Sequence, residues 1–124
     1  MRWVSPVTSS GGDWNFRDLA YDGSTVSSSY SLGSPTALVM GLTAIPSSKL
    51  RLWVSQSAGS PVWTVSVRYG GSYHQIHSGT LSAGIYHELV YGGVFNVDSV
   101  QIFVTNSPPY TNRVHEVSLW ETAH

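Results

Sequence analysis

The chain has 124 residues, of which 41% are hydrophobic, 12% aromatic and only 10% charged, against about 25% charged in an average globular domain. Six Lys plus Arg against seven Asp plus Glu give a net charge of -1, which supplies no cationic field for a phosphate backbone and removes nucleic acid as an expected partner. No run approaches the roughly 20 apolar residues of a membrane helix, so no membrane insertion is expected, and the lack of Cys excludes disulfides, thiolate zinc sites and Cys nucleophiles.

At this length one domain over residues 1–124 is expected. In chain order, short strands are predicted at 3–7, 30–32 and 37–43. Residues 49–55 carry the clearest period of two: Leu50, Leu52 and Val54 point one way, and Lys49, Arg51, Trp53 and Ser55 the other. The pattern repeats after Pro61, where Trp63, Val65, Val67 and Tyr69 alternate with Thr64, Ser66 and Arg68. Gly70-Gly71 then suits the positive φ angles of a tight hairpin, which leads into a strand at 73–77. Gly79 and Gly84 bound another turn, and strands follow at 85–90, 100–105 and 114–120. Windows free of Gly and Pro, such as 94–107, are rich in Val, Ile, Phe and Thr and give no amphipathic helix. Eight or so short strands with regular turn signals predict an all-β fold, a single-domain two-sheet antiparallel β-sandwich of the jelly-roll kind.

The chemistry-bearing residues are scattered. No Gly-x-Ser-x-Gly elbow is present, and His74 and His77, three apart in a strand, fall on opposite faces. His77 and His87 could meet across strands, but a transition-metal site there lacks a third ligand. A small hydrolase would need two carboxylates in one cleft, with Glu88 and Asp98 as the residues to test. Asp22-Gly23-Ser24-Thr25 together with Glu116 offers oxygen ligands of the kind Ca²⁺ prefers, although Asp-Gly is also a common turn.

The aromatic residues point to binding. Five Trp and seven Tyr are many for a core of this size, and Trp14, Tyr73, Tyr91 and Tyr110 are expected in loops. Sugar rings pack their C–H faces on aromatic rings, and their hydroxyls need forked polar partners. Trp14-Asn15-Phe16-Arg17 and the stretch from Asn106 to Arg113 mix both types, and Pro108-Pro109 stiffens the second loop. The same residues could instead plug the end of a sandwich.

The succession from Trp14 to Thr25, then Lys49-Leu50-Arg51-Leu52-Trp53-Val54-Ser55, then Trp63 to Tyr73, and finally Val114-His115-Glu116-Val117-Ser118-Leu119-Trp120 resembles the galactose-binding-like β-sandwich superfamily. That superfamily includes discoidin (coagulation-factor type C) domains and many carbohydrate-binding modules. The resemblance covers about residues 14–121. It implies a non-catalytic module that binds a glycan through loops at one end of the jelly roll, often with a structural Ca²⁺. Carried over by position, Asp22 and Glu116 supply carboxylate oxygens, Ser27 a hydroxyl, and Leu19, Ser24 and His115 main-chain carbonyls. Ser27 stands where the superfamily usually has Thr, Ser29 where Trp is common, and Tyr30 where sugar-binding members often have His. The usual galactose constellation is therefore not reproduced.

The expected function is accordingly a lectin-like carbohydrate-binding module in which Tyr30, Tyr73, His74, Tyr110, Asn112 and Arg113 form or border the ligand surface. The alternative is a structural or protein-interaction jelly roll in a virion, tail fibre or surface assembly, as a homo-oligomer or as part of a larger parent protein. Residues 1–6 show neither an apolar h-region nor a small-residue cleavage site, and the expected location is extracellular or on a particle surface.

Overall fold

A computed structural model describes residues 1–10, 14–15, 29–31, 37–56, 59, 61–105 and 112–122. The described residues form nine strands: β1 (Arg2–Val4), β2 (Thr8–Ser10), β3 (Trp14–Asn15), β4 (Ser29–Ser31), β5 (Leu38–Gln56), β6 (Val62–Tyr69), β7 (Ser72–Gly79), β8 (Tyr86–Thr105) and β9 (Asn112–Glu121). Every pairing is antiparallel, in the order β3-β4-β9-β5-β8-β6-β7, with β1 on β9 and β2 on β5. None of the described segments is a helix, and none is therefore a helix long and apolar enough to cross a membrane.

Hydrogen bonding makes this one continuous sheet, yet the molecule has two layers, because β5 and β8 each run through both. In the first layer, residues 38–41 of β5 pair with β2 on one side and with residues 99–102 of β8 on the other, followed by β6 and β7. In the second layer, residues 47–56 of β5 lie between β9 and residues 86–95 of β8, with β1 and β4 along the far edge of β9. The register of β5 against β8 breaks between Gly41 and Ile45 and again between Ser47 and Lys49, which is where the ribbon folds over. Opposite the second break Gly92 has φ +85°, a conformation open to glycine at no steric cost.

Alternation along each strand fills the space between the layers. Leu38, Met40, Trp63, Val65, Val67, Val100 and Ile102 from the first layer meet Leu50, Leu52, Val54, Val114, Val117 and Leu119 from the second, all fully buried. The facing read from the period of two is the one observed for 49–55 and 63–67. Truncating one such Leu costs about 2–5 kcal/mol. The Gly70-Gly71 turn is also as expected, with φ of 62° and 80° at its two residues.

The strand count differs from the expectation. The predicted strands at 37–43 and 49–55 are a single strand, as are those at 85–90 and 100–105, because Pro46 and Gly92-Gly93 mark bends within a continuing ladder. Trp14, Tyr73 and Tyr91 lie in strands rather than loops. His77 and His87 are not cross-strand partners: His77 faces Val65 across β6–β7, and His87 faces Leu52 across β5–β8.

Candidate functional site

The residues expected to bind ligand fall at opposite ends of the sandwich. At the end of the second layer one cross-strand row runs Asn15, Tyr30, Arg113, Ser55 over β3, β4, β9 and β5. Arg113 is exposed there, while its neighbour Asn112 is fully buried. Next to Arg113, β9 bulges: Val114 faces Val54, Glu116 faces Trp53, and His115 is the extra residue between them. The His115 ring turns back to Ser55, with Nε2 2.7 Å from Oγ. Glu116 points to the outer face of the layer and is still only 2% exposed. Leu19, Asp22, Ser24, Ser27 and Tyr110 lie outside the described residues, as does the whole stretch 106–111. Among the described residues no group of three or more His, Cys, Asp or Glu could hold a metal ion.

Tyr73 and His74 lie on β7, towards the Gly70-Gly71 turn of the first layer. His74 stacks on Tyr69 at 3.8 Å, and Tyr69 stacks on Phe95 at 4.0 Å, so the imidazole closes a three-ring pile between the layers. Tyr73 belongs to the outer face. It stands in a second row, Thr8, Gly41, Ser99, Arg68, Tyr73, that spans the whole first layer.

Three features of this second row go beyond what its strands require. The Tyr73 phenol crosses over β6 to Ser99, with Oη 2.8 Å from Oγ, and Ser99 Oγ donates to the Met40 carbonyl at 3.1 Å. Because the Ser99 proton is committed to Met40, the Tyr73 hydroxyl is the donor, and the ring is anchored across β6. Arg68 donates from Nε and Nη2 to the two oxygens of Asp98 at 2.8 and 3.1 Å, a forked pair that is 42% and 37% exposed. These hydrogen bonds hold the Asp98 carboxyl below the usual carboxylate range and raise the Arg68 guanidinium. Beside them the Thr8 hydroxyl lies over Gly41, with Oγ1 2.6 Å from where a Cβ would stand, in the space that a side chain would take. Here lies an open cleft of about 400 Å³ lined by Val7, Thr8, Gly41, Leu42, Thr43, Arg68 and Asp98.

Sequence reasoning did not bring Arg68, Asp98, Thr8 and Gly41 together. The available signal was a glycine inside the predicted strand 37–43, since a strand glycine often marks a close approach.

The outer face of the second layer has a different character. The Arg51 guanidinium is sandwiched between Trp3, 4.3 Å from the ring centroid, and Tyr86, at 4.5 Å. Trp3 meets Trp120 edge-on at 5.1 Å, and Tyr86 meets Trp53 edge-on at 5.2 Å. Lys49 lies 5.7 Å from both the Trp3 and Trp120 centroids and pairs with Glu88 at 2.6 Å. Glu88 and Asp98, the two carboxylates a hydrolase reading singled out, thus lie in different parts of the sandwich, each tied to its own cation. Tyr91 is engaged inside the fold, where its hydroxyl lies 3.2 Å from Ser47 Oγ and burial pushes its pKa up.

No family model matches the sequence, and no curated protein matches it. Solved structures do match in shape. The CBM32 of AlyQ in complex with 4,5-unsaturated mannuronic acid superposes with a TM-score of 0.74 at 15% identity, over 97% of this chain and 98% of that one. The family 32 carbohydrate-binding module from C. perfringens NanJ in complex with galactose gives 0.73 at 13% identity, over 92% and 93%. Chitosan-binding module 1 from a Paenibacillus sp. IK-5 chitosanase/glucanase gives 0.72 at 14% identity, over 94% and 96%. At these identities the likeness establishes the fold alone: the chain has the antiparallel β-sandwich architecture of these structures.

Proposed function

We propose that this protein is a non-catalytic carbohydrate-binding module that takes a glycan at the end of its second layer. The observation that carries the reading is the row Asn15, Tyr30, Arg113, Ser55, in which four strands place amide, phenol, guanidinium and hydroxyl residues side by side. An aromatic residue beside forked donors is what a pyranose requires, with an apolar face to stack and hydroxyls to be bonded. The similar solved structures support the class, since their own ligands include galactose and an unsaturated mannuronic acid. The adjoining residues Tyr110 and 106–111 belong to the same proposed surface. Such a module would act outside the cell or on a particle surface, where glycans are displayed. The reading is tested by a glycan array followed by calorimetry on the hits. Tyr30→Ala and Arg113→Ala should each weaken binding at least about tenfold, or ~1.4 kcal/mol. Unchanged affinity in both variants would remove this end as the site, and an array without hits would remove the function.

The same reading includes a structural Ca²⁺ held by Asp22, Ser27 and Glu116 and by main-chain oxygens of Leu19, Ser24 and His115. Its support is the donor set, since carboxylate, hydroxyl and main-chain oxygens are the ligands that Ca²⁺ prefers. Bound Ca²⁺ at 100 times its Kd would add about 2.7 kcal/mol to folding. A chelator should therefore lower the melting temperature and added Ca²⁺ restore it, whereas an unchanged melt would retire the ion.

A further inference from the structure

We propose that the cleft over Gly41, between the β2 edge and the Arg68–Asp98 pair, is a second carbohydrate subsite that takes a neutral pyranose through a vicinal diol. The proposal rests on the reading of the chain as a carbohydrate-binding module, but the cleft is at the opposite end of the sandwich from the Tyr30–Arg113 row, on the other layer.

The cleft has a floor and a polar wall, with an aromatic ring beside the wall. Its floor is Gly41, which has no side chain of its own between Thr8 and Ser99 and over which the Thr8 hydroxyl lies, 2.6 Å from where a Cβ would stand. Its polar wall is the Arg68–Asp98 fork. A guanidinium carries five N–H donors, and two of Arg68's go to Asp98, so three remain for a ligand. Of the roughly four acceptor sites of the Asp98 carboxylate, Arg68 takes two and the residue's own backbone N–H a third, which leaves one for a ligand. The exposed edge of this pair therefore presents donors beside an acceptor, the arrangement that two adjacent hydroxyls match, one accepting from Arg68 and one donating to Asp98. Beside that wall, outside the cleft lining itself, stands Tyr73, 38% exposed, with the Arg68 guanidinium 5.9 Å from its ring centroid. Its hydroxyl is spent on Ser99, so the ring is fixed before a ligand arrives and loses little freedom on binding.

An ion pair serving only to clamp β6 to β8 would not need a cleft or an anchored ring beside it. A volume of about 400 Å³ lies within the roughly 300–1,000 Å³ common for small-molecule sites. The ligand is neutral because the fork has no net charge, and an anionic sugar would be set against Asp98. Two subsites at opposite ends would let one module bridge two glycan chains and gain avidity without new contacts.

The test is an amide-resolved NMR titration of the folded chain with galactose, mannose and cellobiose, with galacturonic acid as the charged comparison. Signals of Gly41, Thr43, Asp98 and Ser99 should move and saturate with a neutral sugar, both in the wild type and in Arg113→Ala. Thr43→Trp, which fills the cleft from an exposed position, and Arg68→Lys, which keeps the charge and loses the fork, should each weaken that response at least about tenfold. Movement confined to the surroundings of Ser55 and Arg113 would overturn the second subsite and leave the function standing. Preference of the cleft for galacturonic acid would overturn its ligand class, and silence everywhere with every sugar would overturn subsite and function together.

Discussion

Arg51 and Arg68 stand on the outer faces of the two layers, and each has aromatic rings and an acid nearby, yet they are used differently. Arg51 is closed between Trp3 and Tyr86, with Trp120, Trp53 and the Lys49–Glu88 pair completing the surface. Its planar group is taken up by packing, and it fastens β1 to the rest of the layer. Arg68 touches one ring at long range, bonds one carboxylate, and lines an open cleft. The difference shows that residue type alone does not mark a binding site. What separates the two is cover: Arg68 lines an open cleft floored by Gly41 and the Thr8 hydroxyl, whereas Arg51 lies between the rings of Trp3 and Tyr86.

Four experiments break or sharpen this contrast. The two faces are the outsides of one core, so a cavity in that core should abolish both. Trp63→Ala, at a wholly buried position, is expected to cost about 3–5 kcal/mol in denaturant melts and to lower the stability of the entire chain in one transition. Separate unfolding of the two layers would contradict the shared core.

Arg51→Met comes next. It removes two ring contacts and should cost about 1–3 kcal/mol, while sugar-dependent shifts at Gly41 and Asp98 persist. Arg68→Lys should do the reverse, leaving the melting temperature nearly unchanged because the pair is well exposed, but weakening the cleft for sugar. A large fall in stability in Arg68→Lys, with sugar response intact, would make the fork a clamp and nothing more.

The smallest effect concerns pH. Hydrogen bonds from Arg68 lower the Asp98 pKa in the folded chain, so its contribution is present above the ordinary carboxylate value and is lost only as the pH falls through the lowered one. Cleft binding should thus stay level from neutral pH down through about pH 4 and decline below it. A decline that begins near pH 6 would implicate a histidine instead.

Much of the fold could be read from the sequence because it rests on local rules. The period of two in 49–55 and 63–69 gave the buried faces, and Gly70-Gly71 gave the hairpin. The long strands were harder to read, since Pro46 and Gly92-Gly93 are breakers by propensity and become bends only when β5 and β8 pair through them. The cleft was harder still. Thr8, Gly41, Ser99, Arg68 and Tyr73 come from five strands, and only the register of four separate pairings puts them in line. Tyr73 was singled out for its ring, but its anchor on Ser99 and its neighbour Arg68 are visible only in three dimensions. Tyr30 and Arg113, far apart in sequence and chosen for their chemistry, do meet across β4 and β9.

The central claim is carbohydrate binding, and a thermal-melt screen against neutral mono- and oligosaccharides tests it most directly. Lectin-type sites have Kd values from about millimolar to micromolar, so the sugars are supplied well above the millimolar range. The account predicts that at least one sugar raises the melting temperature in a saturable way, because a ligand bound only by the folded chain stabilises it. A melt that no sugar moves at saturating concentration would contradict it.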